Sequence, residues 1–157
     1  ISKNISRIMS LRDGTKKMSK SDPAEASRIN MTDGPDEIAR KIRKAKTDPE
    51  ELPSDPKDLE GRPEAANLFG IYAALSDKSL ADVCIQFDGA QFSKFKEDLT
   101  ELAVSVLRPI GDEMARMMND PDYLDGVLST GSASAQAIAA PILDDVYDIV
   151  GLLRSQT

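Results

Sequence analysis

The chain has 157 residues, of which 40% are hydrophobic and 4% aromatic, and its formal net charge is −7. A core that must rest on aliphatic side chains favours packed helices. There is no histidine and one cysteine, Cys84. These absences exclude histidine-based acid–base catalysis, a Cys/His zinc site and an internal disulfide, so we predict no protein-bound metal and a reducing, cytoplasmic location.

The charge is distributed unevenly along the chain. Residues 1–46 carry 12 Lys or Arg against 6 Asp or Glu, whereas residues 47–157 carry 8 against 21. An anionic ligand is therefore expected at the first segment, and the second is interpreted as a solvated acidic surface. No apolar run approaches the roughly 20 residues of a membrane span. The first residue is Ile1 and no signal-peptide pattern follows, which predicts a piece of a longer polypeptide.

The first elements in chain order are a strand, a loop and a helix. Residues 5–11 alternate loosely and predict a short strand, and the polar residues 12–28 predict a mobile loop. Asp33-Gly34-Pro35 then suits a helix N-terminus. The following helix has one apolar stripe and is otherwise expected to expose its basic side chains. The stripe is Ile38, Ile42 and Ala45; the basic residues are Arg40, Lys41, Arg43, Lys44 and Lys46.

The remainder is predicted to be helical after one connector. Residues 47–63 contain four prolines in an acidic setting and predict an extended linker, the best internal boundary. Apolar residues at helical spacing follow, and Pro109 and Pro141 are expected to kink or break their helices. The predicted helices cover residues 64–75, 79–87, 92–117, 120–128 and 131–153.

The segment most informative about function is the basic loop at residues 16–23. It places three lysines and two serine hydroxyls on a polar loop beside a strand end. Lysines are mobile point charges, and hydroxyl and backbone N–H groups donate to phosphate oxygens. Such a loop can close over a polyphosphate before chemistry and open afterwards.

The letters of this loop carry a family resemblance. Residues 17–21 read Lys-Met-Ser-Lys-Ser, identical to the KMSKS signature of class I aminoacyl-tRNA synthetases. With residues 7–11 ahead of the motif and Asp22-Pro23 behind it, the segment resembles the tryptophanyl members. Tyrosyl members usually vary the motif itself. The resemblance spans nearly the whole chain and is strongest over 5–49; it continues through residues 38–49, 61–75, 92–96 and 124–128.

The resemblance implies a fold and an activity. The expected fold class is all-α: a helical bundle that serves as anticodon-binding domain, preceded by a short strand and the KMSKS loop from the end of a Rossmann-type catalytic domain. The resemblance divides the chain into residues 1–32, the C-terminal edge of the catalytic domain with the KMSKS loop, and residues 33–157, the helical domain. The implied activity is ATP-dependent activation of tryptophan to tryptophanyl-adenylate, followed by transfer to tRNA-Trp.

The resemblance also implies roles for individual residues. Lys17 and Lys20 are the expected catalytic residues, and Lys20 is the more costly to lose. Met18 is expected to pack the loop down, and the backbone of Ile8 to border the adenine. The predicted ATP-binding residues, with Mg²⁺ on the phosphates, are Ile8, Lys17, Met18, Ser19, Lys20 and Ser21.

The same resemblance implies parts that this chain lacks. The family's HIGH-type motif needs histidine, so the isolated chain is expected not to form adenylate. A homodimer is implied for the complete enzyme. Two alternatives stay open: a non-catalytic RNA-binding helical module of synthetase ancestry, and an interaction domain whose acidic helices bind a protein partner.

Overall fold

A computed structural model describes residues 7–152. A two-stranded hairpin is followed by five helices, which confirms the expectation of a helical domain after a short strand. Two short 3-10 turns lie at Glu25–Ser27 and Pro56–Leu59. The strands are β1 (Met9–Ser10) and β2 (Asp13–Lys17); the helices are α1 (Pro35–Arg43), α2 (Pro63–Ser76), α3 (Leu80–Gln86), α4 (Phe92–Met118) and α5 (Pro121–Val150).

The hairpin corrects part of the loop prediction. β1 pairs antiparallel with β2, with Met9 opposite Lys17 and Ser10 opposite Asp13, and a bulge interrupts the register. The polar residues 13–17 were expected to be loop, but their backbone pairs with β1. A hairpin is fixed by backbone pairing and packing, which side-chain polarity does not reveal. The predicted strand over 5–11 is confirmed at Met9–Ser10, and its residues 5–6 lie outside the described part of the chain.

Helix α1 forms where the sequence predicts it. Pro35 occupies its first turn, and Ile38, Ile42 and the nearby Ala45 are buried in the core as expected. The prediction that every basic residue of this segment is exposed is wrong for Lys41, which is only 1% exposed. Its ammonium pairs with Asp33, eight residues earlier, and a helical pattern does not reveal such a partner.

The segment between α1 and α2 is not the extended boundary that its prolines predict. Leu52 and Leu59 are buried in the core. The Leu52 N–H donates to the Ala90 carbonyl at 3.2 Å. The Arg62 guanidinium binds the Asp48 carboxylate, with Nη2 2.6 Å from Oδ1. Two apolar anchors and one ion pair therefore fold the segment back onto the helices, whereas its composition alone is typical of a linker.

Helices α2 and α3 lie within one residue or so of their predicted limits and build the core with the start of α4. Four aromatic side chains meet there: Phe69 stacks on Phe95 at 4.8 Å, Phe87 meets Phe95 edge-on at 4.8 Å, and Tyr72 meets Phe87 edge-on at 5.0 Å. These are the favourable geometries for aromatic pairs. Most of the chain's few aromatic residues are thus concentrated at one point.

The two prolines do not end their helices. Helix α4 runs through Pro109, and α5 runs through Pro141. Helix α5 is also continuous where the sequence predicted two helices, over residues 120–128 and 131–153. A proline inside a helix removes one backbone hydrogen bond and crowds the preceding turn, and the rest of the helix can absorb this. None of the residues of α5 is buried.

The chain divides into two compact units, one up to Glu113 and one from Met114. Both sides of the predicted boundary between residues 32 and 33 belong to the first unit. The assignment of residues 1–32 to a catalytic domain and 33–157 to an anticodon-binding domain stays a prediction. Within residues 7–152, no helix has the length and apolar character that crossing a bilayer requires.

Candidate functional site

The residues of the KMSKS motif begin where β2 ends. Lys17 is the last residue of β2, opposite Met9, and residues 18–21 form the loop. Met18 is half-buried and packs against the core, as predicted, whereas the side chains on either side of it are exposed. The loop is therefore held at one apolar point and presents its polar groups to solvent; these are Lys17, Ser19, Lys20 and Ser21.

The two motif lysines have no carboxylate partner within residues 7–152. The nearby ion pair joins Lys16 Nζ to Asp13 Oδ2 at 3.3 Å, on β2 ahead of the motif loop. Unpaired ammonium groups on an exposed loop create a local positive potential that attracts anions. Lys17 and Lys20 are therefore available to a phosphate ligand, whereas Lys16 is partly neutralised.

The backbone after Lys17 is folded into a tight turn. The Asp22 N–H donates to the Ser19 carbonyl at 3.3 Å, and the Ser21 N–H donates to Ser19 Oγ at the same distance. Asp22 Oδ1 accepts from the Ala24 N–H at 2.7 Å. Short side-chain-to-backbone bonds of this kind shape turns without secondary structure. They give the loop a defined form although most of its side chains are exposed.

Ile8 lies beside the start of the loop. Its carbonyl accepts from the Met18 N–H at 3.0 Å, and its side chain is 41% exposed. It also lines a cavity of about 300 Å³ together with Gly14, Asn67 and Ile71. The structure thus brings together Ile8 and Met18, two residues that were predicted from the sequence to bind one ligand.

Asn67 on α2 holds the hairpin and was missed from the sequence. Its Nδ2 donates to the Met9 carbonyl at 2.9 Å, and its Oδ1 accepts from the Met9 N–H at 2.8 Å. The side chain is buried. The sequence held one indication of this role, since Asn67 is a polar residue between the apolar Ala65 and Leu68 of a predicted core helix. A buried amide needs hydrogen-bond partners.

Gly14 and Glu64 make a second contact between the hairpin and α2. A Cβ on Gly14 would lie 2.4 Å from the Pro63 carbonyl carbon, so only glycine allows this approach. Lys46 Nζ lies 2.8 Å from Glu64 Oε1. The hydrogen bond from Lys46, against a smaller opposing effect of burial and with help from the Gly14 N–H, lowers the pKa of Glu64. A carboxylate in the first turn of α2 is also favoured by the helix dipole.

The segment after the loop is tied to α1. The guanidinium of Arg28 donates from Nη1 to the Asp22 carbonyl at 2.7 Å and from Nε to Asn30 Oδ1 at 3.2 Å. Asn30 in turn binds the Asp33 carboxylate, which also pairs with Lys41. None of these residues was predicted from the sequence to be functional.

Comparison with known families identifies the class. The family model described as class I tRNA synthetases (W and Y) matches residues 2–108. The chain belongs to this family. The curated relatives include the tryptophan–tRNA ligases of Agrobacterium fabrum, 58% identical over 148 residues, and of Rhizobium meliloti, 55% identical over 148 residues. Each alignment covers 94% of this chain and 42% of the relative, so the chain spans less than half the length of these relatives.

Solved structures agree in fold. The tryptophanyl-tRNA synthetase of Mycoplasma pneumoniae is 28% identical with a TM-score of 0.74, covering 94% of this chain and 46% of the solved one. The Campylobacter jejuni tryptophanyl-tRNA synthetase complexed with ADP and tryptophan has a TM-score of 0.68 at 24% identity, covering 96% and 45%. The latter likeness concerns the fold alone.

Proposed function

We propose that this chain is part of a tryptophan–tRNA ligase. In the first step a carboxylate oxygen of tryptophan attacks the α-phosphorus of ATP, the bond to the β-phosphate breaks, and pyrophosphate leaves. In the second step a ribose hydroxyl of tRNA-Trp attacks the carbonyl carbon of tryptophanyl-adenylate, and AMP leaves. Membership of the class I family and the names of relatives at 55–58% identity support the proposal.

The observation that carries the proposal is the exposed, uncompensated charge of the motif loop. During the first step, negative charge accumulates on the departing pyrophosphate. Lys17 and Lys20 would bind its oxygens, and Ser19 and Ser21 would donate hydrogen bonds. Preorganised donors of this kind are worth about 3–4 kcal/mol each in the transition state. Because Met18 anchors one end of the loop, the lysines can approach the phosphates with little loss of backbone freedom.

The remaining assignments follow from the same loop. The family resemblance assigns the adenine to the backbone of Ile8, whose carbonyl accepts from the Met18 N–H at the start of the motif loop. Among the described residues, no three Asp, Glu, Cys or His side chains are grouped as a metal site. The resemblance implies Mg²⁺ on the ATP phosphates, where it would offset charge that the lysines do not reach.

Helix α1 is the proposed contact to tRNA. Arg43 and Lys44 are exposed at its C-terminal end, whereas Arg40 is paired with Glu37 and Lys41 is buried. Two exposed cations on one helix end suit recognition of backbone phosphates by a few placed groups. We also propose a homodimer and a cytoplasmic location for the complete enzyme. Cys84 is buried, and burial raises the pKa of its thiol, so it serves as a small apolar core residue.

A chimeric enzyme tests the proposal directly. The matching 148 residues of the Agrobacterium fabrum ligase are replaced by this chain, and tryptophan-dependent ATP–pyrophosphate exchange and charging of tRNA-Trp are measured. We expect both activities in the chimera and neither in the isolated chain. A folded chimera that binds tRNA-Trp without either activity would favour a non-catalytic RNA-binding module instead. Adenylate formation by the isolated chain would contradict the assignment of roles.

A further inference from the structure

A buried ion pair lies near the motif loop without contacting it. Lys41 Nζ is 2.5 Å from Asp33 Oδ2, and the two side chains are 1% and 10% exposed. Glu37 Oε1 lies 3.6 Å from the same ammonium. Replacing such a pair by apolar residues is often neutral or stabilising, so a gain in stability does not by itself account for the presence of the pair. Buried polar groups can instead select one arrangement of the chain among several.

The Asp33 carboxylate also accepts hydrogen bonds from Asn30, in the segment that precedes α1. Asp33 Oδ2 accepts from the Asn30 N–H at 2.8 Å, and Oδ1 accepts from Asn30 Nδ2 at 3.2 Å. With Lys41 as a third donor, the carboxylate is held from both its oxygens. The orientation of the Asn30 amide is therefore set by Asp33.

Asn30 and Arg28 carry the link to the loop. Asn30 Oδ1 accepts from Arg28 Nε at 3.2 Å, and Arg28 Nη1 donates to the Asp22 carbonyl at 2.7 Å. Asp22 directly follows Ser21, the last residue of the motif. Since a guanidinium is planar, fixing Nε also fixes the direction of Nη1. The chain of contacts thus runs from the buried pair of Asp33 and Lys41, the latter on α1, to the end of the loop.

The segment that carries these contacts also touches the hairpin turn and α4. The Ser27 carbonyl accepts from the Leu11 N–H at 2.9 Å, next to the turn of the hairpin. A Cβ on Gly111 of α4 would lie 2.8 Å from the Met31 carbonyl oxygen, so α4 approaches the segment as closely as glycine permits. Contacts at Ser27 and Met31 therefore help to hold the segment that follows the exposed loop.

We propose that Asp33 and Lys41 are positioning residues for the motif loop. Acting through Asn30 and Arg28, they fix the Asp22 carbonyl and so the direction in which Lys20 and Ser21 project. They do not contact the nucleotide; they set the geometry of the residues that do. The catalytic consequence rests on the function proposed above, whereas the structural consequence does not.

Amide hydrogen exchange on this chain tests the structural consequence. Arg28→Ala removes the hydrogen bond to Asp22, and Asp33→Asn/Lys41→Met removes the charges while keeping the packing. In both variants the amides of residues 19–22 and 24 should exchange at least about fivefold faster, since local opening becomes easier. Arg62→Ala, which breaks the ion pair to Asp48 away from the loop, is the matched control and should leave these amides unchanged. Unchanged exchange in Arg28→Ala would overturn the proposal, even if the double variant failed to fold.

The chimera with the Agrobacterium fabrum ligase tests the catalytic consequence. Arg28→Ala and the double variant should lower kcat for pyrophosphate exchange about tenfold, leave KM for tryptophan unchanged and leave the melting temperature within a few degrees. Arg28→Lys, which retains a donor, should recover part of kcat. An active chimera with unchanged kcat in both variants would overturn the proposal. A chimera inactive without any substitution would instead count against the proposed function, and the exchange measurement would still decide the positioning role.

Discussion

The side chain of Asn67 forms hydrogen bonds with both polar groups of the Met9 backbone. Nδ2 donates to the carbonyl at 2.9 Å and Oδ1 accepts from the N–H at 2.8 Å. A third hydrogen bond, of 3.4 Å, reaches the Ser10 carbonyl. Helix α2 thus completes the pairing of a strand only two residues long, and the loop that leaves the hairpin starts from a fixed point.

Substituting Asn67→Leu should destabilise the first compact unit. The Met9 N–H and carbonyl would lose their partners in a site that excludes much of the solvent, at about 1–3 kcal/mol for each unsatisfied group. We expect a total loss of about 2–6 kcal/mol in urea unfolding. Asn67→Asp keeps the shape but sets a charged oxygen against two carbonyls. The Asp variant should lose more stability than the Leu variant at neutral pH and regain stability at low pH. Equal stability of wild type and Asn67→Leu would show that the hairpin does not depend on this side chain.

Gly14→Ala should displace β2 from the N-terminus of α2. The added Cβ would lie 2.5 Å from the Pro63 carbonyl oxygen and 2.6 Å from the Glu64 nitrogen, which are backbone atoms that cannot rotate away. Overpacking of this kind costs about 1–3 kcal/mol. Urea unfolding measures the loss, and Gly34→Ala is the control, since a Cβ at Gly34 has nothing within 4 Å. A loss no greater than in the control would show that the close approach is easily relieved.

Loss of Lys20 should affect catalysis and not folding. In the chimera, Lys20→Ala should lower kcat for pyrophosphate exchange by about 10²–10³-fold, because one preorganised positive group is removed from the transition state. Lys17→Ala should have the next largest effect. Lys57→Ala, which removes an exposed lysine from the Pro56–Leu59 turn, is the control for charge. Similar losses in all three variants would attribute the effect to net charge and contradict the specific roles.

The Lys46–Glu64 pair should contribute to the acid sensitivity of the fold. The hydrogen bond from Lys46 lowers the pKa of Glu64 below its ordinary value of 4.5. The folded-state pKa is therefore the lower one, so the stabilisation is present above about pH 4.5 and is lost as the pH falls through the folded-state pKa. Glu64→Gln should flatten the pH dependence of the unfolding free energy below pH 4.5.

Lys46→Met provides the matching test of this pair, since it removes the partner and leaves the carboxylate. It should flatten the same part of the curve, and combining it with Glu64→Gln should add no further change. If Glu64→Gln alone left the slope below pH 4.5 unchanged, other carboxylates would dominate the acid response.

Helix α1 should contribute to tRNA affinity through ionic interactions. Arg43→Ala/Lys44→Ala should weaken binding of tRNA-Trp and of a non-cognate tRNA about equally. The slope of log affinity against log salt should fall by about one for each phosphate that the variant no longer binds. Lys57→Ala is again the control. A change in the preference for tRNA-Trp would show that these residues read the RNA sequence instead of its backbone.

Several features of this protein could be predicted from local patterns. The helical limits of α2 and α3 and the buried stripe of α1 follow from apolar spacing, which local chemistry sets. The KMSKS motif and its neighbours placed the chain in its family. The folded segment before α2 could not be predicted, because its prolines and acidic residues are typical of a linker, and Leu52 and Leu59 gain their role only by reaching a core elsewhere in the chain.

The amino-acid sequence by itself determined which residues carry the charged and hydroxyl groups that phosphate binding requires, since these groups are properties of the side chains. It also determined the helical character, since spacing alone defines an apolar face. Only the tertiary structure decided that Lys41 is buried while Lys17 and Lys20 are not, although all three are lysines in a basic segment. Burial of a charge depends on whether a distant carboxylate, here Asp33, is brought within reach, and that is a property of the packed chain.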